Sequence, residues 1–221
     1  MNGKIFSVIN LILLVILLAI LSCMSATPNE PSVMSKTPVQ INSKRDSIRN
    51  MFIEHPEFIA GSFDFPVGKP DAKGYYNAQP FGKNNHLGDD WNGNGGGNTD
   101  KGDPVYAIAP GYVSKAINYF GGWGKVVTVV HAYMDGDSLI CRESLYAHLD
   151  TMLVHKGDWI TKGQELGRIG TAEGIYLAHL HLEIRQQPGM PLGQGYSADS
   201  KGYLDPTLFI RKNRVLPKTQ H

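Results

Sequence analysis

From Val105 to Ile184 the chain is a succession of short runs rich in Val, Ile, Leu and Tyr, each closed by glycine or a polar turn. The runs are Val105–Ala109, Tyr112–Ile117, Lys125–Ala132, Leu139–Leu149, Gln164–Ile169 and His179–Ile184. Runs of this length with turn residues between them suit strands of an antiparallel sheet. Helices would need longer stretches and a 3.6-residue period. The 25 glycines agree with this, because turns and loops are where glycine's backbone freedom is used. The expectation is therefore a mainly β chain, a single antiparallel β-sheet or sandwich domain with long loops lining a groove. A chain of 221 residues is long enough for one such domain with one sizeable core.

The N-terminal segment reads differently. Met1–Lys4 is a short, positively charged start, and residues 11–21 are uninterrupted aliphatic side chains. That run is short for a bilayer core of about 30 Å and fits a signal-peptide core of roughly 7–15 residues. Ile20-Leu21-Ser22-Cys23 resembles the lipobox of bacterial lipoproteins, which implies cleavage before Cys23 and a lipid on its thiol. Two alternatives stay open: an uncleaved leader kept as an anchor, or cleavage after Ala26. Residues 24–45 are rich in Ser, Thr, Pro, Asn and Lys and read as a flexible tether, with a short helix over Ser47–Ile53. The expected division is a signal peptide over 1–22, a lipid-anchored tether over 23–50, the folded domain over 51–217 and a tail over 218–221.

The second cysteine, Cys141, lies in a strand-like run and reads as a buried, inert thiol. With Cys23 acylated it has no disulfide partner. The net charge of +1 and the lack of a basic run give no sign of a nucleic-acid partner. Oligomeric state is not readable.

The chemistry concentrates in three segments. In "LAHLHLEIR", residues 177–185, His179, His181, Glu183 and Arg185 alternate with Ala178, Leu180, Leu182 and Ile184. Two imidazoles thus share one strand face. Their Cα atoms would be about 6.6–6.8 Å apart, an awkward reach for two Zn–N bonds of about 2.1 Å to one ion. One is expected to ligate and the other to face the metal's water. In "HLGDDW", His86 and Asp90 stand four apart and share a face in an extended chain, while Asp89 points away. Two nitrogens and one carboxylate leave tetrahedral zinc an open position, as a catalytic site requires. In "SLYAHLD", plain alternation puts Tyr146 and His148 on one face and Leu145, Ala147 and Leu149 on the other.

In that order, His86-x-x-x-Asp90, Tyr146-x-His148-Leu149 and His179-x-His181 resemble the motifs of the LytM/lysostaphin-type zinc endopeptidases of bacterial cell walls. The similarity runs over about residues 60–210. It implies one Zn²⁺ per chain held by His86, Asp90 and His181, with His148 and His179 as the catalytic groups beside a zinc-bound water. Glu183 is expected to be solvated or to support a ligand. The implied activity is hydrolysis of peptide crosslinks of peptidoglycan; the alternative is a non-hydrolytic member that activates another cell-wall hydrolase. The implied partners are peptidoglycan stem peptides or crosslinks, and a membrane reached through the N-terminal lipid. The implied location is the periplasmic side of the envelope, compatible with the outer membrane. Trp91, Trp123 and Tyr146 are candidate walls of a substrate groove. His131 is expected to be structural.

Overall fold

A computed structural model describes residues 38–215, with side chains from residue 45 onward. The leader, Cys23 and the tail from residue 216 lie outside the described residues. Among the described residues no helix is long and apolar enough to cross a membrane.

The chain order is helix α1 (Pro38–Glu54), then β1 (Ile59–Ala60), β2 (Tyr75–Gln79), β3 (Asp89–Gly93), β4 (Pro104–Tyr106), β5 (Gly111–Asn118), β6 (Lys125–Asp135) and β7 (Ser138–Met152). There follow β8 (Trp159–Ile160), β9 (Glu165–Ile169), β10 (Leu180–Arg185), β11 (Tyr203–Leu204) and α2 (Pro206–Lys212). The strands form one sheet whose main path is β2-β3-β10-β7-β6-β5-β8. Every pairing is antiparallel except that of β1 with β6. The mainly β expectation holds, and the six runs read from the sequence coincide with β4, β5, β6, β7, β9 and β10 to within a few residues.

Local chemistry explains the longest hairpin. β6 is dense in valine, and β6 and β7 pair from Asp135↔Ser138 upward. Only Gly136 and Asp137 lie between the strands, and Gly136 has φ 61°, the position a type II′ turn reserves for glycine. β7 then changes partners: residues 143–147 pair with β10, and residues from 149 onward pair with β9. The middle of β7 and all of β10 are buried on both faces. One face carries the main apolar core, including Phe63, Phe65, Trp91, Tyr146 and Leu182. The other carries Leu145 and Ala147 beneath Trp123.

Two corrections concern the N-terminal side. The polar segment read as tether to residue 50 is helical from Pro38. The packed body also begins before residue 51, because Ile48 and Phe52 of α1 cover Val130, Ala132 and Trp159. The rings of Phe52 and Trp159 are 5.2 Å apart, edge to face. The short helix expected over Ser47–Ile53 is the end of this longer one.

Candidate metal centre

Three of the expected ligands converge. Asp90 of β3 is paired with His181 of β10, and directly opposed residues project to the same face. His86 reaches the same spot from the turn before β3. His86 Nε2 and His181 Nδ1 are 3.0 Å apart, His181 Nδ1 and Asp90 Oδ1 2.9 Å, and His86 Nε2 and Asp90 Oδ1 3.4 Å. Gly88, between the two motif residues, makes this approach possible: a Cβ there would overlap the Leu182 carbonyl and sit 2.9 Å from His181 Cε1. The neighbouring carboxylate has a different task. Asp89 is fully buried and accepts from Phe81 N–H at 2.9 Å and, in the first turn of α2, from Thr207 N–H at 3.0 Å and its hydroxyl at 2.6 Å. It ties β3 to α2 and thereby fixes where Asp90 points.

The three atoms fit a zinc ion on three counts. Tetrahedral ligands at about 2.1 Å are about 3.4 Å apart, close to the separations found. Both imidazoles have their other nitrogen engaged: His86 Nδ1–H donates to the Gln79 carbonyl at 3.0 Å, and His181 Nε2–H donates to Glu183 Oε1 at 3.2 Å. Each therefore presents a lone pair to the cluster, the usual support for a ligating histidine. Finally, charge balances. Asp90 is mostly buried, Glu183 and Glu143 are fully so, and the one cation among them is Arg185. Three negative charges against one positive become neutral with a dication. In its absence a proton takes part of that role. Burial opposes charge on His181, but the carboxylates of Asp90 and Glu183 outweigh it and raise its pKa to about 9. Burial likewise works against the Asp90 carboxylate, yet hydrogen bonds and charge from His181 and His86 hold it well below the usual range.

His179 and His148 stand beside the cluster. His179 immediately precedes β10, where its Nδ1–H donates to the Leu177 carbonyl at 2.8 Å. This leaves Nε2 as an acceptor 3.8 Å from Asp90 Oδ1. With 13% side-chain exposure each, His179 and Asp90 form the opening to solvent, whereas His86 and His181 are sealed. The backbone around His179 is held from β3 and the loop that follows it: Ala178 N–H donates to Oδ1 of Asn98 in that loop at 2.8 Å, and Asn92 Nδ2 in β3 donates to the Ala178 carbonyl at 3.2 Å.

His148 arrives by a route that alternation does not describe. Between the pairs Lys125↔Leu149 and Val127↔Tyr146, β7 has one residue more than β6, a β-bulge. His148 sits there with φ 62°, a left-handed conformation that a non-glycine residue holds only at a cost. A Cβ on Gly170 of the adjoining segment would overlap the backbone of His148 and Asp150, so this bulge needs glycine opposite. The bulge turns His148 away from the face of Tyr146 and Leu149 and toward Trp123. Its ring centroid lies 4.7 Å from His179, 5.5 Å from His181 and 6.3 Å from Trp123. Burial, with the neighbouring His181 and His179, lowers its pKa to about 3, so it is neutral. Its Nδ1 is buried without a hydrogen-bond partner.

Two groove assignments are corrected. Trp91 borders Asp90 in sequence, and for that reason it points to the opposite face of β3. It is buried in the main core with its ring 5.2 Å from Phe65. Tyr146 is likewise core: fully buried, its hydroxyl accepts from Ile108 N–H at 3.1 Å, and burial raises its pKa to about 12. Trp123 does adjoin the cluster, 5.5 Å from the His181 ring, with Nε1–H donating to the Gly193 carbonyl at 3.0 Å. Two aromatics that sequence reading passed over also border it: Tyr176, 5.1 Å from His148, and Tyr196, 5.0 Å from His86.

His131 lies outside this cluster. It is buried between the Pro110 carbonyl, 2.8 Å from Nδ1, and the Ser144 hydroxyl, 2.7 Å from Nε2.

Comparison with known proteins places this geometry. The model of Peptidase family M23 matches residues 90–194, a stretch that holds Asp90, His148, His179 and His181. Lipoprotein NlpD of Yersinia enterocolitica is 36% identical over 85 residues, covering 38% of this chain and 79% of that protein. Murein hydrolase activator NlpD of Escherichia coli (strain K12) is 36% identical over 85 residues, 38% of this chain but 20% of its own length. The chain thus spans most of the first relative and a fifth of the second. A putative peptidase M23 from Pseudomonas aeruginosa has a solved structure, 22% identical with a TM-score of 0.46, covering 79% of this chain and 63% of that one. From the family match and the span shared with the Yersinia lipoprotein, the chain belongs to peptidase family M23, the LytM/lysostaphin type.

Proposed function

We propose that this chain is an exported zinc-dependent endopeptidase that hydrolyses peptide crosslinks of peptidoglycan, with one Zn²⁺ held by His86, Asp90 and His181. The observation that carries this reading is the convergence of those three ligand atoms within 3.4 Å, flanked by two further imidazoles. Zinc, when bound, supplies Lewis acidity toward a carbonyl oxygen and toward water. The chain's own residues supply the rest. His179, whose Nδ1–H is held by Leu177, offers Nε2 at the solvent opening as a general base. His148, kept neutral, offers a hydrogen-bond donor for charge developing on a carbonyl oxygen. Trp123, with the exposed rings of Tyr176 and Tyr196, borders the peptide's approach. A leader cleaved before Cys23 would deliver the domain to the periplasmic side of the envelope on a lipid anchor.

A second reading has its own support, and sequence comparison alone leans toward it. Relatives include murein hydrolase activators and the cell division protein DipM of Caulobacter vibrioides. On that reading the domain binds the cell wall and stimulates another hydrolase without cutting peptides itself. One experiment separates the two. The purified chain, loaded with zinc, is incubated with peptidoglycan sacculi, and released fragments are identified by mass spectrometry. The endopeptidase reading expects cleaved crosslinks that vanish with a chelator and with His181→Ala. An inert zinc-loaded chain that accelerates a cell-wall amidase establishes the activator reading instead.

A further inference from the structure

Glu183 is a buried carboxylate that stands behind His181 and takes no direct part in the proposed hydrolysis. Its two oxygens face two donors. Oε1 accepts from His181 Nε2–H at 3.2 Å and Oε2 accepts from Arg185 Nε–H at 2.7 Å. Arg185 is fully buried and also faces Glu143, 3.6 Å away. Glu143 is held from the far side by the Ser114 hydroxyl and Gly189 N–H, both at 3.1 Å. Every one of Glu183, Arg185 and Glu143 is at most 1% exposed. A wet strand face would not be built this way. Three buried charges in line behind one imidazole are costly unless they fix something.

We infer that Glu183, backed by Arg185 and Glu143, is a positioning residue that fixes the tautomer of His181, keeping the proton on Nε2 and the lone pair on Nδ1 where the metal is held. The inference rests on the zinc reading above. The donor count makes it specific. An imidazole has two nitrogens, and whichever is not bonded to hydrogen can ligate. A carboxylate only accepts, so it selects Nε2–H. A glutamine in the same space has a single oxygen facing two donors. The buried Arg185 cation takes that oxygen, and the amide NH₂ then turns to His181 Nε2. That nitrogen must now accept, which moves the imidazole proton onto Nδ1, the ligating atom. Glu183→Gln therefore keeps the side-chain shape and makes the metal compete with a proton on Nδ1.

The test uses the full chain with zinc as the probe. Affinity is measured by competition with a chelating dye, and the His181 tautomer by long-range ¹H–¹⁵N spectra. In the zinc-loaded wild type, the spectra are expected to show a protected Nε2–H on His181. For Glu183→Gln, zinc affinity is expected to fall about 10–100-fold, and the metal-free variant to carry its proton on Nδ1. Undiminished zinc affinity in Glu183→Gln overturns the inference. So does an Nδ1–H tautomer in the loaded wild type, a result that needs no variant to fold. A wild-type chain that takes up no zinc overturns the metal reading itself and this inference with it.

Discussion

Tyr146 distinguishes a core residue from a groove residue at the cost of one oxygen atom. The Tyr146→Phe substitution keeps the ring and removes the hydroxyl that accepts from Ile108 N–H. Both residues are fully buried, so water does not replace the lost partner. An orphaned buried donor costs about 1–3 kcal/mol. Phe also avoids the burial of a hydroxyl, which offsets part of this, so a loss of about 1–2 kcal/mol is expected. In a domain of this size each kcal/mol moves the melting midpoint by roughly 2–4 °C. The thermal midpoints of the two proteins should therefore differ by about 2–8 °C, and the urea midpoint should fall with its slope unchanged. Zinc content and peptidoglycan hydrolysis should match the wild type, because the Tyr146 ring lies on the face opposite His181. A Tyr146→Phe protein of unchanged stability that has lost hydrolysis would refute the assignment and return Tyr146 to the groove.

Three further outcomes follow. His148→Asn keeps a residue tolerant of the left-handed bulge while removing the imidazole; crosslink cleavage should fall about 10²–10⁴-fold with zinc content, read by atomic absorption, unchanged. Asn98→Ala releases Ala178 N–H and loosens the backbone that carries His179; kcat should fall by up to about 10²-fold, again without loss of zinc. His131 makes stability pH-dependent: burial lowers its pKa to about 4 against about 6.5 when unfolded. The unfolded chain then binds the extra proton, so this contribution is complete above about pH 6.5 and declines by roughly 3 kcal/mol as pH falls toward 4; urea titrations of wild type and His131→Gln across that window should converge as pH falls.

The strands were legible because their alternation, their valines and their glycine turns are local signals, and local signals set β4 to β7, β9 and β10. The limits of the same rule explain what was misread. Alternation assumes an unbroken ladder, and the extra residue at His148 breaks it. Plain parity grouped His148 with Tyr146, whereas the bulge sends one to the cluster and the other to the core. No residue near His148 announces this, since the glycine that permits it is Gly170 on another segment. Trp91 was misplaced for the opposite reason: sequence adjacency to Asp90 suggested a shared site, and strict alternation in β3 separates them. The polar residues before Ser47 read as tether because α1 has few apolar side chains, and those that pack on the sheet, Ile48 and Phe52, come only in its last turns. Glu183 and Arg185 show the deepest limit. A period-two row of polar residues usually marks a solvated face, and only the partners on neighbouring strands reveal that this row is sealed. The motif residues fix which atoms can converge, and Glu183 and Arg185 follow His181 on the same strand face; that this row is sealed rather than wet is set by Glu143, which reaches Arg185 from β7.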